Sequence, residues 1–139
     1  MKIKKWLVIP MAIVLILVTG SLLYLSTGSL KPMQQALDAM QSDAVVEVIN
    51  SKNIVFNPIG VSVDAALIIY PGGKVDPRAY APAARAFAEK GVRTIIVKMP
   101  FNLAIFGSSK ADQVIEQNSD IKKWYISGHS LGGVMAARY

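Results

Sequence analysis

The chain has 139 residues, enough for one modest domain, and a formal net charge of +6 from 15 Lys and Arg against 9 Asp and Glu. It has no cysteine and a single histidine, which excludes a disulfide framework, a thiol nucleophile and Cys- or His-rich metal sites. The basic residues are scattered without interleaved aromatics, so the charge does not describe a nucleic-acid surface.

Lys2, Lys4 and Lys5 form a short basic tail, residues 1–5, before a stretch with no charged residue from 6 to 30. Residues 6–25 are mostly Leu, Ile and Val; as a helix they would extend about 30 Å, the depth of a bilayer core. The lysines would stay on the cytoplasmic side, placing the rest of the chain outside. Three readings of residues 6–26 remain open, an uncleaved anchor, a cleaved signal peptide and a buried core helix, of which the first two lead. The apolar run is long for a signal, and only Thr19-Gly20-Ser21 offers small residues for cleavage. Either leading reading exports the domain.

Residues 27–31 are a polar linker, and 32–139 read as one domain. Met33, Ala36, Leu37 and Met40 have helical spacing over 32–41. Residues 45–49 and 54–56 are strand-like, and the turn-forming Asn50-Ser51-Lys52-Asn53 between them makes an antiparallel hairpin. The nearly continuous apolar run 65–70 is expected of a strand buried on both faces, ended by Gly72-Gly73. Asp76 as N-cap and Pro77 at the first helical position open a helix with Tyr80, Ala83, Ala84, Phe87 and Ala88 as its buried stripe, stopped by Gly91. Residues 94–97 are a second buried strand, 110–117 another helix and 124–126 a third strand. This alternation predicts a parallel sheet with right-handed crossovers.

Directly after that last strand comes Gly128-His129-Ser130-Leu131-Gly132-Gly133, then the helix-forming Val134, Met135, Ala136 and Ala137. Strand, G-x-S-x-G and helix together specify a nucleophile elbow. The turn is tight enough to strain the serine, and glycines two before and two after it remove Cβ atoms that would collide. Ser130 Oγ would stand above the carboxyl edge of the sheet, with Leu131 N–H at the helix N-terminus, where an oxyanion is favoured.

These residues resemble the elbow of the α/β-hydrolase superfamily. Residues 70–82, beginning Tyr70-Pro71-Gly72-Gly73-Lys74, and the segment 97–104 are similar to a bacterial branch of it, the fold-5 type hydrolases. The resemblance covers about residues 36–139 and implies an α/β fold with acyl-transfer chemistry. It implies a second oxyanion donor in the loop after the first parallel strand, Gly73 N–H by position or else Lys74 N–H. Many relatives have His-Gly where this chain has Pro71-Gly72. The full phosphate-loop spacing around Gly72-Gly73-Lys74 is absent.

The resemblance also implies a triad in the order Ser, acid, His. Nine residues follow Ser130, and the one histidine, His129, sits inside the elbow as a packing residue turned away from the serine. Asp64, Asp76, Asp112, Glu116 and Asp120 all precede Ser130 and read as caps or solvated charges. The chain is thus expected to be the N-terminal part of a hydrolase, inactive alone, with its elbow strand at a sheet edge. The expectation is an exported, membrane-anchored serine hydrolase acting on a small ester or acyl compound, without metal, cofactor or nucleic-acid partner. The alternative is a non-catalytic anchored half-domain with a binding role.

Overall fold

The structure, a computed structural model, describes residues 5–139. Lys2 and Lys4 of the basic tail lie outside the described residues. The chain opens with α1 (Lys5–Ser26), followed by α2 (Gln34–Asp38), the hairpin β1 (Val46–Asn50) and β2 (Ile54–Pro58), and β3 (Ala65–Tyr70). Then come α3 (Ala81–Ala88), β4 (Arg93–Ile96), α4 (Lys110–Glu116), β5 (Lys123–Gly128) and α5 (Leu131–Arg138). Single 3₁₀ turns at Pro77–Tyr80, Pro100–Asn102 and Ala104–Phe106 join some of these.

The five strands form one sheet in the order β1-β2-β4-β3-β5. β1 pairs antiparallel with β2 and β2 antiparallel with β4, while β3 runs parallel to both β4 and β5. The expected hairpin and parallel strands are therefore present in one mixed sheet. β3 is covered on both faces. Leu67 and Ile69 point to a core shared with Phe56, Ala84 and Ala88, and Ile68 and Tyr70 to one shared with Val97, Val114 and Met135. This alternation explains why 65–70 reads as unbroken apolar sequence rather than as every second residue.

Two helices differ from their expected form. Asp76 accepts a hydrogen bond from Arg78 N–H as foreseen, but the first turn, Pro77–Tyr80, is 3₁₀. Three residues per turn instead of 3.6 shift the phase of the helix that continues from it. The buried stripe of α3 is accordingly Ala81, Ala84 and Ala88, while Ala83 and Phe87 are exposed. The segment 32–41 keeps only the short α2, because Arg85 draws the carbonyls of Ala39 and Gln41 out of any continuing helix.

α1 contains a span, Val8–Ser26, of mean hydropathy 2.4, none of it buried against the domain. It is long and apolar enough to cross a membrane or to serve as a signal sequence. Two of its polar side chains bond back to the helix, which lowers the cost of placing them in lipid: Thr19 Oγ1 donates to the Leu15 and Ile16 carbonyls and Ser26 Oγ to that of Leu23.

β5 is the terminal strand of the described sheet and pairs only with β3, leaving Lys123, Tyr125 and Ser127 exposed. Hydrogen exchange followed by mass spectrometry is expected to find β5 and α5 the least protected part of the parallel sheet and β3 the most protected, differing by about 10²-fold or more. Equal protection of β3 and β5 would contradict this account of the edge.

Candidate active site

β3 lies between β4 on one side and β5 on the other. The chain leaves β3 through α3 to β4 on one side and returns from β4 through α4 to β5 on the other, so the strand order switches at β3, where a crevice opens at the carboxyl ends of β3 and β5. The register decides what meets there. Tyr70 pairs with Gly128, so the loop after β3 and the turn after β5 leave the sheet side by side. Three residues beyond each partner are Gly73 and Leu131, and a Cβ placed on Gly73 would lie 3.3 Å from Leu131 Cδ2.

Ser130 occupies the turn into α5 with φ 51° and ψ −124°, a left-handed conformation that costs a non-glycine residue about 1–3 kcal/mol. The surroundings enforce it. A Cβ on Gly128 would approach the Gly132 carbonyl carbon to 2.5 Å, and one on Gly132 would overlap the carbonyl oxygens of Tyr70 and Pro71. Gly132 N–H donates to the His129 carbonyl at 2.9 Å and His129 N–H to the Tyr70 carbonyl at 3.2 Å. The Ser130 side chain is exposed and does not cap α5.

The loop after β3 presents three consecutive amides. Gly72 N–H donates to Tyr80 Oη at 2.8 Å and Lys74 N–H to the Asn102 carbonyl at 2.7 Å. Gly73 N–H has no acceptor among the described residues, and neither has Leu131 N–H, the first of α5. Of the two expected loop donors, Lys74 is thus engaged and Gly73 free. Pro71, buried, has no N–H to offer.

His129 is turned to the far side of this loop. Its Nδ1 lies 3.1 Å from Tyr80 Oη, the same hydroxyl that takes the Gly72 N–H. Tyr80 read in the sequence only as part of a helix stripe. Asking where the Gly72 N–H finds an acceptor would have been the one clue to it.

The carboxylates are held elsewhere. Asp76 pairs with Arg78 at 2.6 Å, Asp120 with Arg93 at 3.0 Å and Asp64 with Lys122 at 3.1 Å, while Asp112 accepts from Tyr139 Oη. The Arg78 side-chain hydrogen bonds hold the Asp76 carboxyl below the usual range. The Asp112 hydrogen bond pushes the Tyr139 hydroxyl up to about 12. A cleft of about 460 Å³ beside these two, lined also by Ser108, Met135 and Arg138, includes neither Ser130 nor Gly73. Among the described residues no three His, Asp or Glu side chains gather to hold a metal.

A strained serine between a parallel strand and a helix, beside a free amide from the neighbouring loop, defines the α/β-hydrolase class of sites. The model of the alpha/beta hydrolase family matches residues 66–139, more than half of the chain, and the chain belongs to that family. No curated protein matches it. Among solved structures, it is similar to an ester hydrolase from the metagenome of Lake Arreo, solved with a derivative of bipyridine phosphonate. That match has a TM-score of 0.54 and 20% identity over 76% of this chain and 42% of the other. It is similar also to a thermophilic esterase of the planctomycete Thermogutta terrifontis, at TM-score 0.52 and 18% identity over 68% of this chain. The same esterase with propionate bound matches equally well. At these identities the likeness is one of fold. The chain spans about two fifths of the length of these structures, 42 to 44%.

Proposed function

We propose that this protein is a membrane-anchored serine hydrolase acting on an ester or similar acyl compound, with Ser130 as nucleophile and the amides of Leu131 and Gly73 as its oxyanion hole. The left-handed Ser130 backbone between β5 and α5 carries this reading. In it, Oγ adds to the acyl carbonyl carbon, and the carbonyl oxygen takes the negative charge between the two amides. The tetrahedral adduct then expels the alcohol, and water releases the acid. The two neighbours of esterase fold, with phosphonate and propionate bound in their own structures, support the substrate class. α1 is the anchor, with Lys2, Lys4 and Lys5 inside and the domain outside the cytoplasm.

A hydroxyl needs a base and an orienting acid. His129 faces Tyr80, and Asp64, Asp76 and Asp120 are paired away from Ser130, so the base and acid of the triad are not assigned among these residues. A fluorophosphonate is expected to label Ser130 in a chain that joins these residues to the base and acid, and Ser130→Ala to abolish the label. The 139 residues alone should not be stably labelled, because triad catalysis without its base falls by orders of magnitude, leaving ~10³-fold over water. Strong labelling of the 139 residues would assign the base to His129. No labelling in either chain would favour an anchored half-domain with a binding role.

A further inference from the structure

The connection between β4 and α4 takes no part in the chemistry at Ser130, yet it is apolar, strained and turned outward. Phe101 and Asn102 both have positive φ, 53° and 55°, a conformation bulky residues avoid. Its effect is to leave Phe101, Ile105 and Phe106 at 56, 49 and 51% exposure while Leu103 and Ala104 are buried beneath them. The two phenyl rings meet edge to face at 5.9 Å.

What lies beside this segment is the apolar span. Leu103, Ile105 and Phe106 share a groove of about 640 Å³ with Ile16, Leu17 and Gly20 of α1, and Phe101 shares another with Leu22 and Leu23. Ile16 is ten residues from Ser26, so the groove reaches about 15 Å down the helix from its outer end. Tyr24 and Lys74 mark where that end meets the membrane surface. The Lys74 ammonium donates to the carbonyls of Tyr24, Leu25 and Thr27 and stands 5.3 Å from the Tyr24 ring centroid. Tyrosine and lysine are the residues that settle at headgroup level.

The same contacts lead to the elbow. Lys74 follows Gly73, its N–H holds Asn102, and its carbonyl accepts from Leu30 N–H just after α1. A Cβ on Gly73 would lie 3.3 Å from Leu131 Cδ2 and 3.5 Å from Leu103 Cδ2, so both side chains pack close to this glycine. The anchor, the apolar segment and the crevice at Ser130 are therefore one connected edge of the molecule.

We infer that Phe101, Ile105 and Phe106 dip into the outer leaflet beside α1 and seat the Ser130 edge on the bilayer, so that the substrate is the acyl ester of a membrane lipid. This rests on the anchored-hydrolase reading and gives it a substrate class. No groups other than apolar ones project from 101, 105 and 106, and lipid is the occupant continuous with a span already in lipid.

These 139 residues contain no cysteine, so single cysteines placed in them report depth without background from this part of the protein. The full protein would be reconstituted in phosphatidylcholine vesicles containing nitroxide-labelled lipid, with a polarity-sensitive fluorophore at Leu17→Cys, Phe101→Cys, Phe106→Cys or Val61→Cys. Val61 is exposed in the connection before β3, toward the amino end of that strand and away from its carboxyl-end crevice. Fluorophores at 101 and 106 are expected to shift to the blue and lose roughly half their emission or more, as at 17, and the one at 61 to be unaffected. Quenching at 17 without quenching at 101 and 106 overturns the seating while leaving the anchor intact. No quenching at 17 overturns the anchor, and the seating with it. In the active protein, Phe101→Ser with Phe106→Ser should lower hydrolysis of a long-chain diacyl ester in vesicles roughly tenfold and leave a short-chain water-soluble ester unchanged. Equal loss on both esters, or no loss on either, overturns the substrate class. Loss of all activity together with loss of Ser130 labelling in the parent protein would instead strike the hydrolase reading.

Discussion

Gly132→Ala is expected to abolish the cooperative fold. The added methyl would overlap the carbonyl oxygens of both Tyr70 and Pro71, backbone atoms at the end of β3 that cannot swing aside as a side chain could. Relief requires α5 to move off β3, and that movement breaks the packing of Met135 and Ala136 against Ile68 and Tyr70. Overpacking in a close-packed core costs about 1–3 kcal/mol even where side chains can yield, and more where backbone must move. Against a total stability of about 5–15 kcal/mol, a loss of roughly 4 kcal/mol or more leaves little. The neighbouring substitution calibrates the claim. A Cβ on Gly133 would come to 3.1 Å from the Gly128 carbonyl oxygen, a contact a few tenths of an ångström would relieve, so Gly133→Ala should cost about 1 kcal/mol. Thermal melts followed by Trp124 fluorescence should show a sharp transition for Gly133→Ala and none for Gly132→Ala. A Gly132→Ala protein melting within a few degrees of the parent would mean that α5 approaches β3 less closely than these distances require.

How much of this could be read in the sequence depends on whether the cause is local. The run 65–70 and the turn residues Asn50 to Asn53 act over a few residues, and both give the strands they predict. The glycines at 128 and 132 are legible as a requirement for space, and Gly128 meets the nearby Gly132 and Gly133 backbone, but what fills the space at Gly132 is not legible: the Tyr70 and Pro71 carbonyls are about sixty residues away. The α3 stripe holds at Ala84 and Ala88 and fails at Ala83 and Phe87, because one 3₁₀ turn at Pro77–Tyr80 changes the period before the helix begins, and spacing analysis assumes a single period. The outward turn of Phe101 follows from two positive φ angles at residues with no glycine to announce them. The capture of the Tyr24, Leu25 and Thr27 carbonyls by Lys74 joins groups some fifty residues apart. In the candidate site, sequence could name Gly73 and Lys74 as loop amides. Only the Asn102 carbonyl, which takes the Lys74 N–H, separates them.

Removing the Leu131 amide hydrogen should slow acyl transfer by about 10²–10³-fold, the effect of losing one oxyanion donor, or about 2.7–4 kcal/mol. The clean change is the replacement of the Ser130–Leu131 peptide bond by an ester, using the α-hydroxy acid with the leucine side chain. It deletes the N–H and keeps the chain's shape. Folding should be only slightly affected, because Leu131 N–H is the first of α5 and donates to nothing within the described chain, and the Ser130 carbonyl, a weaker acceptor as an ester, still receives Val134 N–H. Val134 provides the contrast. Its N–H donates to the Ser130 carbonyl at 3.1 Å, so the same replacement there removes a helix hydrogen bond, worth about 0.5–1.5 kcal/mol, and spares the hole. The expected pattern is therefore crossed, with position 131 losing much rate and little stability and position 134 losing more stability at nearly constant rate per folded molecule. Single-turnover acylation and urea denaturation of a hydrolase carrying each replacement would read the two effects separately. If the ester at 131 leaves acylation within about threefold of the parent, a loss of only ~0.65 kcal/mol, the amide is not an oxyanion donor. Charge on the tetrahedral adduct would then have to be met by Gly73 and by groups outside the elbow. An unchanged rate after the corresponding replacement at Gly73 as well would remove the hole from this crevice, and with it the assignment of Ser130 as the attacking group.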